Sequence, residues 1–98
     1  HLVRKPASTF LVTVKGDSMI NAGIHDGDLL VVDRSLEPRS GKVVVAVIND
    51  ELTVKRLERS AGRIRLLPEN PDFKPIEVPE DASFFVWGVV TNVIHAVD

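Results

Sequence analysis

Apolar positions along this chain alternate more than they recur every three or four residues, and alternation predicts strands. Between Thr9 and Lys15, Phe10, Val12 and Val14 fall on one face while Leu11, Thr13 and Lys15 fall on the other. Gly16 ends that run. Ser18 to Ala22 then reads as one helical turn, with Asp17 as its N-cap and Gly23 at the left-handed C-terminal position. A tight turn, Ile24-His25-Asp26-Gly27-Asp28, leads into Leu29-Leu30-Val31-Val32, which reads as a strand buried on both faces. Lys42 to Ile48 is a β-branched run, Asn49-Asp50 suits a two-residue hairpin loop, and Glu51 to Arg59 returns as the partner strand. After a turn at Ser60-Ala61-Gly62 the chain comes back over Arg63 to Leu67. Pro68, Pro71, Pro75 and Pro79 interrupt the next segment and leave room for one short strand near Ile76 to Val78. Phe84 to Val97 closes the chain as a long β-rich stretch with a bulge or bend at Gly88. The fold class is therefore mostly β. Residues 9–98 are expected to form a single compact domain of twisted antiparallel strands with short helical turns, behind an extended arm at residues 1–8.

Composition narrows the picture. A chain of 98 residues holds one core, and with 44% hydrophobic but only 5% aromatic residues that core is built from Val, Leu and Ile. Twelve basic against fourteen acidic side chains leave a net charge of −2, so no domain-wide basic field is available for a nucleic-acid backbone. Direct nucleic-acid binding is not expected. Cysteine is absent, and the longest apolar run, near Val43 to Ile48, is too short to span a bilayer. A soluble, cytoplasmic protein without a membrane partner is the expectation. The histidines, His1, His25 and His95, are scattered and none sits near an obvious carboxylate partner, which argues against both a Ser-His-Asp triad and a transition-metal site. No cofactor and no metal are expected.

One stretch stands apart chemically. At Val14-Lys15-Gly16-Asp17-Ser18-Met19 a strand pattern stops abruptly at a serine. A serine at a strand-to-helix junction has backbone amides around it and a side chain lifted clear of the ladder, as a nucleophile needs. On those residues alone an ordinary N-cap is the better reading. Lys55 changes that balance. Thr53, Lys55 and Leu57 share one face of their strand, and Leu52, Val54 and Arg56 the other. Read alone, Lys55 is a solvated strand lysine. Packed against apolar neighbours it would instead lose its charge near neutral pH and act as general base to a serine hydroxyl.

Three ordered blocks, Gly16-Asp17-Ser18-Met19, Asp26-Gly27-Asp28-Leu29-Leu30 and Thr53-Val54-Lys55-Arg56-Leu57, resemble in content and spacing the self-cleaving domain shared by UmuD and the LexA repressor. The resemblance continues through Leu67-Pro68-Glu69-Asn70 and Phe73-Lys74-Pro75-Ile76 to Trp87-Gly88-Val89-Val90, so it covers nearly the whole chain from Ser8. It implies the catalytic core common to this family and to signal peptidases. It also implies a Ser-Lys serine endopeptidase with Ser18 as nucleophile and Lys55 as general base. Backbone N–H groups at Ser18 and Asp17 would hold the oxyanion, and Thr53 would orient the amine. Asp17 and the ending Trp87-Gly88-Val89-Val90-Thr91 resemble the UmuD branch, while the segment from Leu67 to Ile76 resembles the LexA branch at least as closely. The UmuD branch is the expectation. It implies self-cleavage stimulated by the RecA nucleoprotein filament in the SOS response to DNA damage. The processed homodimer would then serve an error-prone Y-family DNA polymerase subunit of the UmuC type in translesion synthesis. The alternative is the dimerisation and self-cleavage domain of a LexA-type repressor.

In the resembled family the bond cut is Cys-Gly or Ala-Gly, upstream of the serine. Neither pair occurs in residues 1–17, so the chain is expected to be a processed product or a truncation. Ala22-Gly23 and Ala61-Gly62 are expected to be decoys, the first too close to the serine and the second at a hairpin tip. Phe84-Phe85-Val86-Trp87 sets large apolar side chains on consecutive positions. Leftover apolar surface, or an unpaired edge of this strand, is the expected dimer contact.

Overall fold

The computed structural model describes residues 8–97. The extended arm expected over residues 1–8 lies outside them except for Ser8, whose carbonyl accepts the Arg34 N–H at 2.7 Å. Seven strands form one antiparallel sheet: β1 (Thr9–Thr13), β2 (Leu29–Asp33), β3 (Val43–Ile48), β4 (Glu51–Ser60), β5 (Arg63–Leu67), β6 (Ile76–Glu77) and β7 (Phe84–Ile94). Their spatial order is β1-β2-β7-β3-β4-β5-β6, so the last strand in sequence is inserted between β2 and β3 inside the sheet. Past Ser8, the helical element among the described residues is a 3-10 turn at Ile20–Ala22.

β3 is the pivot of the packing. Val44 and Ala46 join Leu57, Leu66 and Val89 in one buried cluster, while Val45 joins Val14, Met19, Ile24, Leu30 and Val32 in another. Because alternate residues point to opposite faces, β3 is covered on both sides, which explains its uninterrupted β-branched sequence. β2 differs from the two-sided burial expected of it. Leu30 and Val32 are fully buried, but Leu29 and Val31 are only half-buried, so the strand has one dry face.

Local turn chemistry follows the sequence closely. Asn49 and Asp50 both take positive φ, 48° and 68°, as a two-residue hairpin loop requires, and Ala61 and Gly62 do the same at 51° and 77°. β7 bends where its register with β3 shifts, between the partners of Val45 and Ala46. Gly88 sits at that shift, and a Cβ on it would meet Val32 Cγ1 at 2.5 Å. Glycine is thus needed for close approach, and a second register shift with β2 adds to the bend.

β7 pairs with β3 over residues 84–89 and with β2 over residues 89–94, so among the described residues its first half has no partner strand on the β2 side and its second half none on the β3 side; the outermost strands are β1 and β6. Trp87 is covered by Phe10, edge to face at 5.3 Å, and by the Arg34 guanidinium at 4.5 Å. Phe85 remains half-exposed. No helix among the described residues is long and apolar enough to cross a membrane.

Candidate active site

β1 stops at Thr13, two residues earlier than alternation predicts, because the chain then turns into hydrogen bonds with the loop before β2. Val14 donates to the Asp28 carbonyl at 2.9 Å, Gly27 donates back to Val14 at 2.9 Å, and the Asp26 carboxylate accepts the Gly16 N–H at 2.7 Å. Gly16, at φ 86°, then swings the chain outward so that Ser18 follows on an irregular turn. Met19 anchors the turn in the core at 2% exposure. The 3-10 turn beyond it is not capped by a side chain, contrary to the role expected of Asp17: its carbonyl, not its carboxylate, accepts the Ile20 N–H at 3.3 Å. Gly23 does take the left-handed C-terminal position, at φ 79°.

A second segment clamps the serine turn from outside. Glu69 donates its N–H to the Ser18 carbonyl at 2.8 Å and accepts the Asn21 N–H at 2.8 Å. Asn70 Nδ2 donates to the Asp17 carbonyl at 2.9 Å. The Glu69 carboxylate pairs with Arg56 at 3.0 Å, and Arg56 also donates to the Gly41 carbonyl at 2.7 Å. Arg56 follows Lys55 directly, so the strand that carries the lysine also anchors the segment that grips the serine. Residue-by-residue reading missed Arg56, Glu69 and Asn70. The signals were Arg56 within the Thr53-Val54-Lys55-Arg56-Leu57 block and the Leu67-Pro68-Glu69-Asn70 block, which spacing alone could not attach to Ser18.

Lys55 occupies the face of β4 shared with Leu57, as alternation predicts, and is 7% exposed. Its Nζ lies 3.0 Å from Ser18 Oγ and 2.7 Å from Thr53 Oγ1. Burial pushes the lysine pKa below its ordinary range, because an ammonium loses hydration there. Among the described residues no carboxylate lies within ion-pair reach to offset this. Proton transfer between hydroxyl and amine needs contact at this distance and an amine that is neutral near working pH. The backbone N–H groups of Asp17 and Ser18 donate to no acceptor among the described residues. A cleft of about 280 Å³ opens over the pair, walled by Val12, Val14, Leu52 and Val54. A larger concavity, of about 480 Å³ between Gly62 and Phe84, lies among Arg63, Glu77 and Glu80 and holds no comparable pair.

The fold also undoes the scatter of histidines in sequence. His25 and His95 meet at the buried Asp28, in contrast to the expectation that no histidine has a carboxylate partner. Asp28 does serve the turn, as its spacing implies, by accepting the His25 N–H at 2.7 Å.

Residues 1–91 match the model of the "Peptidase S24-like" family. The chain is 52% identical to the LexA repressor of Dechloromonas aromatica over 92% of its own length, 52% identical to that of Stenotrophomonas maltophilia over 92%, and 53% identical to that of Bordetella pertussis over 88%. It spans less than half of each of those proteins: 45%, 43% and 40%. These relatives carry the repressor name and so do not support the UmuD branch expected from Asp17 and residues 87–91. By this match and these identities, the chain belongs to the peptidase S24-like family, that of LexA-type self-cleaving domains.

Proposed function

We propose that this domain is a self-cleaving serine endopeptidase working through a Ser18–Lys55 dyad. The observation that carries the reading is the 3.0 Å contact between Ser18 Oγ and a buried lysine that has no counter-ion among the described residues. Ser18 Oγ attacks the carbonyl carbon of the scissile bond, and its proton passes to the neutral Lys55 amine. The N–H groups of Ser18 and Asp17 face the oxyanion of the tetrahedral intermediate. As the C–N bond breaks, Lys55 returns the proton to the leaving amine. It then activates the water that hydrolyses the acyl ester. Thr53 holds the amine through its hydroxyl, 2.7 Å away. The substrate is an Ala-Gly or Cys-Gly bond in an extended arm upstream of the serine, and the apolar cleft suits its small side chains. Both internal Ala-Gly pairs are poor substrates: Gly23 closes the serine's own turn, and Ala61-Gly62 forms a hairpin loop.

The relatives favour a LexA-type repressor half that cleaves itself under RecA stimulation. A UmuD-like polymerase accessory is the second reading, resting on Asp17 and Trp87-Gly88-Val89-Val90-Thr91. The native sequence upstream of His1 separates them: a helix-turn-helix half fits the repressor, a short arm with Ala-Gly or Cys-Gly fits UmuD. A homodimer fits either reading. Phe85 and Ile94, 50% and 47% exposed, are the β7 side chains left for a second copy to cover. Light scattering at micromolar concentration should give a dimer mass, and a monomer mass excludes this contact.

The dyad is tested by placing an arm bearing Ala-Gly ahead of His1 and following cleavage on a gel at alkaline pH. Ser18→Ala and Lys55→Ala should each abolish cleavage while circular dichroism stays unchanged. Undiminished cleavage in either variant overturns the assignment.

A further inference from the structure

We propose that His25, Asp28 and His95 form a binding site for one divalent transition-metal ion of the zinc class. One ligand atom from each of the three residues lies within 4.8 Å of the others. His95 Nδ1 is 2.9 Å from Asp28 Oδ2, and His25 Nδ1 is 3.9 Å from the same oxygen. Zinc–nitrogen and zinc–oxygen bonds of about 2.0–2.2 Å set tetrahedral ligand atoms roughly 3.4 Å apart. Both separations from Asp28 Oδ2 are within about 0.5 Å of that spacing, and with all three ligand atoms within 4.8 Å of one another, turning the two imidazoles toward a shared ion would complete the set.

The parts differ in freedom in the way such a site needs. Asp28 is fixed: its side chain is 8% exposed, Oδ2 accepts the His25 backbone N–H at 2.7 Å, and its own N–H donates to the His25 carbonyl at 3.0 Å. The rings of His25 and His95 are 52% and 49% exposed and lie 5.5 Å apart, so both can turn toward an ion arriving from solvent. Without an ion, His25 Nδ1 is too far from the carboxylate for a hydrogen bond. Two imidazoles and one carboxylate suit zinc, nickel or copper. Calcium needs six to eight oxygens, and magnesium a near-ideal octahedron. Water completes the coordination on the open side.

The ligands come from two segments far apart in sequence, the turn before β2 and the end of β7. Leu29 pairs with Ile94, which sets His95 beside the turn that precedes β2. An ion would therefore staple the end of β7 to residues 25–28, which are tied to the serine turn by the Val14–Asp28 and Ile24–Met19 backbone bonds. Its effect is on the fold, and the proposal stands apart from the Ser18–Lys55 reading.

The test is a calorimetric titration of zinc chloride into the untagged, metal-stripped chain, with Co²⁺ absorption reporting tetrahedral ligation. One ion per chain and a rise in Tm at saturating Zn²⁺ are expected. His25→Ala and His95→Ala each replace a half-exposed ring, so the fold survives, and each should weaken binding at least tenfold and remove the Tm rise. His1→Ala, which removes the terminal histidine, should leave both unchanged. No saturable binding, binding that persists in the His25 and His95 variants, or binding lost in His1→Ala overturns the proposal.

Discussion

Ser18 and Lys55 are held at hydrogen-bond distance by two contrasting kinds of structure. Lys55 stands in the ten-residue strand β4, laddered to β3 on one side and, from Arg56 onward, to β5 on the other. Ser18 stands on an irregular turn, fixed by a glycine at positive φ, a buried methionine and hydrogen bonds from residues 69 and 70. The strand supplies a buried face that strips water from the amine. The turn supplies what a strand cannot: backbone N–H groups that no ladder consumes, beside a side chain directed into a cleft. The proposed dyad thus combines one regular partner, whose burial lowers a pKa, with one irregular partner, whose turn leaves donors free.

If burial on the strand tunes the base, pH should exert the largest effect on the pair. Burial disfavours the protonated amine, so the folded pKa lies below the ordinary lysine value of about 10.4. Below the folded pKa only the minority neutral amine accepts a proton. Cleavage of the arm-bearing chain should therefore rise about tenfold per pH unit and level off before pH ~10.4. The same burial acts on stability. Between the folded and the ordinary pKa the unfolded chain binds the extra proton, so stability at this site rises with pH across that window. A cleavage rate flat from about pH 6 to 10, with the fold intact, contradicts a lysine base.

The contrast also explains what the sequence revealed. β4 and β5 announced themselves through alternation and turn chemistry, and the short β6 through the prolines that bound it, because those signals are local. Asn49-Asp50 was legible as a hairpin loop for the same reason, and β4 alternation placed Thr53, Lys55 and Leu57 on one face. The clamp on Ser18 was not legible, since Glu69 and Asn70 reach it through a fold that nothing near residue 18 encodes. Distance in sequence hid the meeting of His25 and His95 at Asp28 as well. β7 was legible as a strand but not as an interior one. Its interior place depends on which strands it pairs with, and consecutive apolar residues suit a covered strand and a sticky edge equally.

Loosening the irregular partner should cost less than removing its hydroxyl. Asn70→Ala deletes the 2.9 Å bond from Nδ2 to the Asp17 carbonyl but leaves the Glu69 N–H on Ser18. One net hydrogen bond is worth about 1 kcal/mol, so single-turnover cleavage should slow by about five- to tenfold if that bond is what orients the serine. The pH midpoint should stay where it is, because Lys55 is untouched. A normal rate shows that the turn holds itself without the clamp.

The smallest effect belongs to the regular partner. Thr53→Val keeps shape and β-propensity while removing the hydroxyl 2.7 Å from Lys55 Nζ. Two consequences oppose each other. The amine loses an orienting partner, so the plateau rate at high pH should fall by a factor of about three, equivalent to somewhat under 1 kcal/mol. The ammonium also loses an acceptor that favoured the charged form, so the midpoint of the pH–rate profile should move down. Near neutral pH the two changes largely cancel, and a single-pH assay would report no effect. The full profile separates them: a lowered plateau with a downward midpoint is expected. A midpoint moved upward would mean that Thr53 acts on the neutral amine alone, as donor to its lone pair, and the hydrogen-bond direction assigned here would be reversed.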